Sequence, residues 1–357
     1  MATLYVGTYT RESGGIHLVE LNERSGEMTH RGVVGECRSP SFLAFSQDGR
    51  IIYAVNEIGD VHGATPGSVT AVLRDAASGH LTALNTVSSH GSYPCHITVS
   101  RNGKHVLVAN YGSGTVAVIP ITADGSLGNA VCVVQHAGSS VNKARQEGPH
   151  AHSINLDPLA RFALACDLGT DQVIVYRYDE ATGMLARDGK ASAEPVRTAP
   201  GAGPRHLAFH PGGRFVYVIN ELDSTIGAYR YDPNTGALTL IETVTTLPAG
   251  FAGQSTTAEV VVHPSGKWVY GSNRGHDSIA VFAVNPASGA LRPMGQVPSG
   301  GKTPRNFTVS RDGRRMVVAN QDSNGIRLFT VNERTGIPTA TEHAVSIPLP
   351  VCVRFAP

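Results

Sequence analysis

A pattern with a period of about 50 residues runs through the whole chain, and few architectures are compatible with it. Its clearest copy is GPRHLAFHPGGRFVYVINELDSTIGAYRYD, residues 203–232. Pro204 can open a strand because it has no ladder donor to lose there, and Leu207 and Phe209 then alternate apolar with polar. Residues 210–213 read as a tight turn, and residues 214–220 as a second strand rich in Phe, Val, Tyr and Ile. Because the hairpin folds back on itself, Arg205 and His206 at the start of the first strand come to lie beside Asn220 and Glu221 at the end of the second.

Equivalent first strands are expected from Pro40, Pro94, Ala151, Pro204, Thr257, Pro304 and Pro350, with second strands ending at Asn56, Asn110, Asp167, Asn220, Asn273 and Asn320. Two turn signals fall in nearly every unit, one like Asp48-Gly49 after the first strand and one like Ser78-Gly79 later, which makes four strands per unit. Short strands at this period predict an all-β fold, a seven-bladed β-propeller of four-stranded blades forming one domain over residues 1–357. The seventh unit is split between the termini: residues 350–357 supply its innermost strand and residues 4–8, 15–21 and 28–34 the other three. Pairing of these pieces would close the ring and remove its open edges.

With 40 glycines, 6% aromatics and 16% charged residues, the composition suits many tight turns around a large core. A formal charge of +1 and the lack of a basic run give no general attraction to nucleic acid or to an acidic membrane, and no apolar run reaches the length of a membrane span. Five scattered cysteines without CxxC spacing argue for reduced thiols, and with no leader-like N-terminus the expected location is the cytoplasm. A monomer or weak homo-oligomer is expected. The longest departure from the period is HAGSSVNKARQEGPH, residues 136–150, a polar insertion of a length that more often serves function than not.

In a propeller the first strand of each blade lines the central channel, so the positions of Arg205, His206, Asn220 and Glu221 recur around one mouth. At the Asn220 position the chain reads Thr8, Asn56, Asn110, Asp167, Asn220, Asn273, Asn320, a repetition best explained by backbone hydrogen bonding in the loops. Asn110 and Asn273 are nonetheless carried as substrate-contact candidates because of where they fall. At the Glu221 position it reads Tyr9, Glu57, Tyr111, Leu168, Glu221, Arg274, Gln321, and this column is not a scaffold repeat. Ionisable residues concentrate in blades three to six: His152, Arg205, His206, Glu221, Glu259, Arg274 and Arg305. The bland alternative is a salt-bridge network knitting neighbouring blades, and it applies with most force to Glu259.

Three arginines at one mouth favour an anionic ligand, since guanidinium binds carboxylate and phosphate bidentately. His152 and Glu221 are both candidate general bases. No nucleophile elbow or phosphate-binding loop is visible. His150 and His152 form a strand-spaced HxH without a clear third ligand, so no metal site and no cofactor are expected.

The motifs GPRHLAFHPGGRFVYVINEL (203–222), QEGPHAHS (146–153) and SNRGHDSIAVF (272–282) resemble the lactonase family of seven-bladed β-propellers, which includes propeller-type 6-phosphogluconolactonases and carboxymuconate-lactonizing enzymes. The resemblance covers essentially the whole chain. It implies a metal-independent enzyme acting on lactones of acidic or phosphorylated small molecules, with His152, Arg205, Glu221 and Arg274 as catalytic residues. His206, Arg305, Glu259, Asn110 and Asn273 would then complete the substrate pocket. The leading expectation is hydrolysis of a small anionic sugar lactone. The alternatives are a muconate-type lactonizing enzyme and, in another class, a non-catalytic propeller presenting a protein-binding face. The last fits poorly with a mouth lined by polar groups rather than by apolar anchors.

Overall fold

The computed structural model of the protein describes residues 1–9, 14–59, 66–187 and 194–357. Seven antiparallel sheets follow one another in a ring. Their innermost strands are Phe42–Phe45, Pro94–Val99, Ala151–Leu156, Pro204–Phe209, Thr256–Val262, Pro304–Val309 and Pro350–Phe355. The expected registers hold within two residues: the first of these starts at Phe42 because Pro40 and Ser41 stay outside the ladder, and the fifth starts one residue early. Six sheets have four strands. In the third, the outer edge is two short pieces, Leu185–Ala186 and Val196–Arg197, both paired with Gln172–Tyr178.

The second strand of each blade is buried almost throughout, as in Ile51–Asn56, His105–Asn110 and Phe215–Asn220, because it is covered by a blade on either side. Its apolar side chains fill the seams between blades. The seams also carry a repeated polar clasp. Tyr5, Tyr53, Tyr217 and Tyr270 each donate a hydroxyl hydrogen bond of 2.8–3.0 Å to the carbonyl of the late-turn glycine of the next blade, Gly79, Gly125, Gly289 and Gly336. These glycines have positive φ, and a Cβ at Gly289 or Gly336 would stand 2.3–2.4 Å from Phe215 or Trp268, so the turn and the seam both require glycine. Tyr217→Phe is expected to lower stability by about 1 kcal/mol, the worth of one buried hydrogen bond. An unchanged urea midpoint would show that the clasp is incidental.

Closure joins the termini. Ala2–Thr8 pairs antiparallel with Pro350–Phe355 in the register Leu4↔Phe355 through Thr8↔Pro350.

One backbone irregularity prepares the channel mouth. In blades two to six the pairing of the two inner strands shifts near its start, as between Ala151 and Ser153, Pro204 and His206, and Pro304 and Asn306. Cys95, His152, Arg205 and Arg305 therefore have no ladder partner. A bulge breaks the alternation of side chains, so Arg205 and its neighbour His206 both reach the channel.

Candidate active site

Glu221 is the centre of the mouth. Its carboxylate accepts from Arg205 Nε (3.0 Å) on the adjacent inner strand, pairs with Arg274 Nη2 (3.0 Å) of the next blade, and accepts from Arg145 Nη2 (2.7 Å). His152 Nε2 lies 3.9 Å from Glu221 Oε2, too far for a hydrogen bond but near enough for a single oxygen to touch both. Glu221, Arg205 and His152 are each at most 4% exposed. Arg274 also donates through Nη2 to Thr257 O (2.7 Å), while its Nε is buried without an acceptor.

A second group stands across the mouth. Arg305 Nη2 donates to Tyr9 Oη (2.6 Å), and Tyr9 Oη donates to the Glu57 carboxylate (2.9 Å). Arg305 also lies over the Tyr9 ring, 5.1 Å from its centroid. Four guanidinium groups thus face two carboxyls, and the mouth is net positive.

Below this layer His206 and Glu259 close the channel. Arg205 Nη1 donates to His206 Nε2 (3.2 Å), which leaves Nδ1 to donate to Glu259 Oε1 (3.0 Å) and fixes a neutral tautomer. Glu259 also accepts from Asn306 Nδ2 and from the Val260 amide (3.1 Å), so it ties blades four, five and six together. His206 packs edge-on against His96, His152 and Phe42 at 5.3–5.6 Å between centroids. On the far side of His206 a cavity of about 460 Å³ continues down the channel past Phe42, His96 and Arg354.

Burial pushes the Glu221 carboxyl up, but Arg274, Arg205 and Arg145 outweigh it and hold the group far below the usual carboxylate range. Burial lowers Arg274 to about 10 against the pull of Glu221, with Arg205 and Arg305 adding repulsion, and it stays cationic at neutral pH. His152 is held well below 6.5 by burial and then by the charges of Arg205 and Arg305, so it is a neutral base. Burial raises the Glu57 carboxyl despite Arg305, which places it opposite to Glu221 in titration.

Burial and Arg205 bring His206 down to about 4 despite Glu259. The unfolded chain protonates this imidazole near 6.5, so its contribution to stability is complete above about 6.5 and is lost as pH falls toward 4. His206 alone is expected to remove about 1.4 kcal/mol per pH unit across that window. Urea unfolding of wild type and His206→Gln at pH 7 and pH 5 tests this: the wild type should lose more stability than the variant between the two.

The ring thus brings together His152, Arg205, Glu221 and Arg274, with Arg305 and His206 adjoining. Asn110 and Asn273 are not brought to the arginines: the Asn110 amide donates to Ser89 O and Thr115 Oγ1, and that of Asn273 to Thr246 O and Ser278 Oγ. They hold the loops between blades, the role their repetition suggested. Glu259, counted among the substrate contacts, is bonded to His206, Asn306 and the backbone in the layer below. Residue-by-residue reading missed Tyr9, Glu57 and Arg145. Tyr9 and Glu57 stand in the non-repeating Glu221 column, so the signal was there. Arg145 lies in the 136–150 insertion, where no column exists.

The model of the seven-bladed β-propeller lactonases matches residues 3–355. The chain belongs to that family. Among its relatives, a 6-phosphogluconolactonase of Bacillus subtilis is 36% identical over 352 residues, 98% of this chain and 97% of the relative. A 6-phosphogluconolactonase of Formosa agariphila is 31% identical over 93% of each chain. The solved structure of a periplasmic gluconolactonase of Pseudomonas aeruginosa superimposes with a TM-score of 0.90 at 34% identity, covering 100% of this chain and 99% of that one. The protein is therefore a lactonase, and the scaffold reading falls. All five cysteines of this lactonase are buried free thiols, and no helix among the described residues is long and apolar enough to cross a membrane.

Proposed function

We propose that this lactonase hydrolyses an anionic sugar lactone of the 6-phosphogluconolactone type in the cytoplasm, without a metal ion, as a monomer or weak homo-oligomer. The observation that carries the reading is a neutral, buried His152 beside a carboxylate held by three guanidiniums, in a mouth with net positive charge. The buried free thiols suit a reducing compartment.

Of the two candidate bases, Glu221 is a weak one because its charge is already neutralised. His152 is the better acceptor. Water bound between His152 Nε2 and Glu221 attacks the lactone carbonyl carbon as its proton passes to His152. The carbonyl oxygen becomes an oxyanion that Arg274 and Arg205 stabilise, and the unpartnered Nε–H of Arg274 is a donor waiting for such an acceptor. Collapse of this intermediate breaks the ring C–O bond, and His152 returns the proton to the leaving alkoxide. Glu221, 3.9 Å from the same Nε2, orients the attacking water and offsets part of the charge of the transient imidazolium. Metal independence is supported by the donor set: the Glu221 and Glu259 oxygens and both ring nitrogens of His206 are already hydrogen-bonded.

The test is hydrolysis of freshly generated 6-phosphogluconolactone above its spontaneous rate, with EDTA in parallel and His152→Gln as control. Acceleration that survives EDTA and drops on the order of 10² to 10⁴-fold in the variant supports the mechanism. No acceleration of this lactone or of gluconolactone would sink the reading and direct attention to muconolactone-type acids.

A further inference from the structure

The relatives named for phosphorylated and for plain gluconolactone leave open what selects between the two. Arg145 is the most exposed of the three arginines on Glu221, its side chain 39% accessible against 14% for Arg274 and 3% for Arg205. Among the described residues it is bonded through one nitrogen only, Nη2, to Glu221 Oε1 and Tyr111 Oη (3.2 Å), which leaves Nε and Nη1 open to donate. Lys143, two residues earlier and exposed, is bonded among the described residues to the Ser140 carbonyl alone. Glu147, the acidic residue of this loop, pairs with His150.

The loop that carries Arg145 is built to hold it still. Gln146, fully buried, donates to Leu168 O (2.9 Å) and Asp171 Oδ1 (2.7 Å), and Ser140 donates to Asp171 Oδ2 (2.5 Å). The same Asp171 carboxylate accepts from the amides of Gly201 and Gly203 (2.7 Å each), which lead into Pro204 and Arg205. One buried carboxylate therefore fixes the Arg145 loop to the strand that carries Arg205. Such anchoring lowers the ordering cost when a ligand is gripped.

Resting on the lactonase reading above, we propose that Arg145, assisted by Lys143, binds the distal phosphate of the substrate and makes this enzyme prefer a phosphorylated sugar lactone over its unphosphorylated counterpart. A phosphate carries close to two charges and three acceptor oxygens at neutral pH, against one charge on Glu221. It takes up the Nε–H and Nη1–H donors that Glu221 and Tyr111 leave open, through separate charge-assisted hydrogen bonds. Arg205 and Arg274 lie deeper, with side chains 3% and 14% accessible, and remain with the reacting carbonyl.

The experiment compares kcat/KM for 6-phosphogluconolactone and for gluconolactone in wild type, Arg145→Ala and Arg145→Lys, with 6-phosphogluconate binding measured by calorimetry on the same proteins and thermal melts to confirm folding. The ratio of the two kcat/KM values should fall about 10- to 100-fold in Arg145→Ala, mostly through KM for the phosphorylated lactone, and recover in part in Arg145→Lys. Binding of 6-phosphogluconate should weaken by a similar factor. An unchanged ratio, or an equal loss on both lactones, overturns the assignment and leaves the lactonase intact. If wild type opens neither lactone yet binds 6-phosphogluconate through Arg145, the anion grip stands and the lactone reading fails. If Arg145→Ala binds 6-phosphogluconate as wild type does, the grip itself is refuted.

Discussion

Glu221→Gln is expected to cut lactone opening at saturating substrate by about 100-fold or more. The substitution preserves shape but removes the charge that Arg205, Arg274 and Arg145 converge on. Two of these guanidiniums are largely buried, and they would be left repelling one another. The imidazolium formed at His152 during attack would also lose the carboxylate 3.9 Å away. Breaking a buried ion pair from one side costs about 3–5 kcal/mol of stability, so urea unfolding should move with activity. Kinetics of the folded fraction separate the two effects. Turnover within about twofold of wild type would remove Glu221 from the mechanism.

Deleting residues 350–357 is expected to abolish the soluble, cooperatively melting ring. The segment is the innermost strand of the seventh blade, and its loss exposes the whole inner edge of Ala2–Thr8. Val351, Cys352 and Val353 are buried among the neighbouring strands, at about 1.5–3 kcal/mol for each large side chain. Together with the lost ladder this approaches the whole stability of an ordinary domain, about 5–15 kcal/mol. An unpaired edge is also a template for association. Gel filtration and a thermal melt read the outcome, and a monodisperse truncated protein melting within a few degrees of wild type would show that closure is dispensable.

Much of the fold follows from local rules that a repeat displays many times over. Glycines at the turns are required by positive φ, and asparagines ending second strands hold loop carbonyls and hydroxyls, as Asn273 does with Thr246 and Ser278. Blade three shows that the rule concerns conformation rather than residue type: Ala160 occupies its first turn at φ 52° where five other blades place glycine. Internal comparison also distinguishes repeated loop anchors from variable mouth positions, because a position that varies while its neighbours repeat is released from the structural constraint. That reasoning placed His152, Arg205, Glu221 and Arg274 at one mouth. It misjudged the depth of Glu259, whose carboxylate is spent on His206 and Asn306.

The period, the strand count and the non-repeating positions at the mouth are legible in the chain alone, since each depends on contacts within about one unit, and the split seventh blade follows from counting that period out to both termini. Tertiary structure decided which of those positions meet. Arg305 bonds Tyr9 across a sequence separation of 296 residues, and Arg145 reaches Glu221 across 76. Only the closed ring sets such distances. It also decided the ionisation, because the Glu57 and Glu221 positions share one column of the repeat yet titrate in opposite directions. Burial works against both carboxylates, and three guanidiniums converge on only one of them.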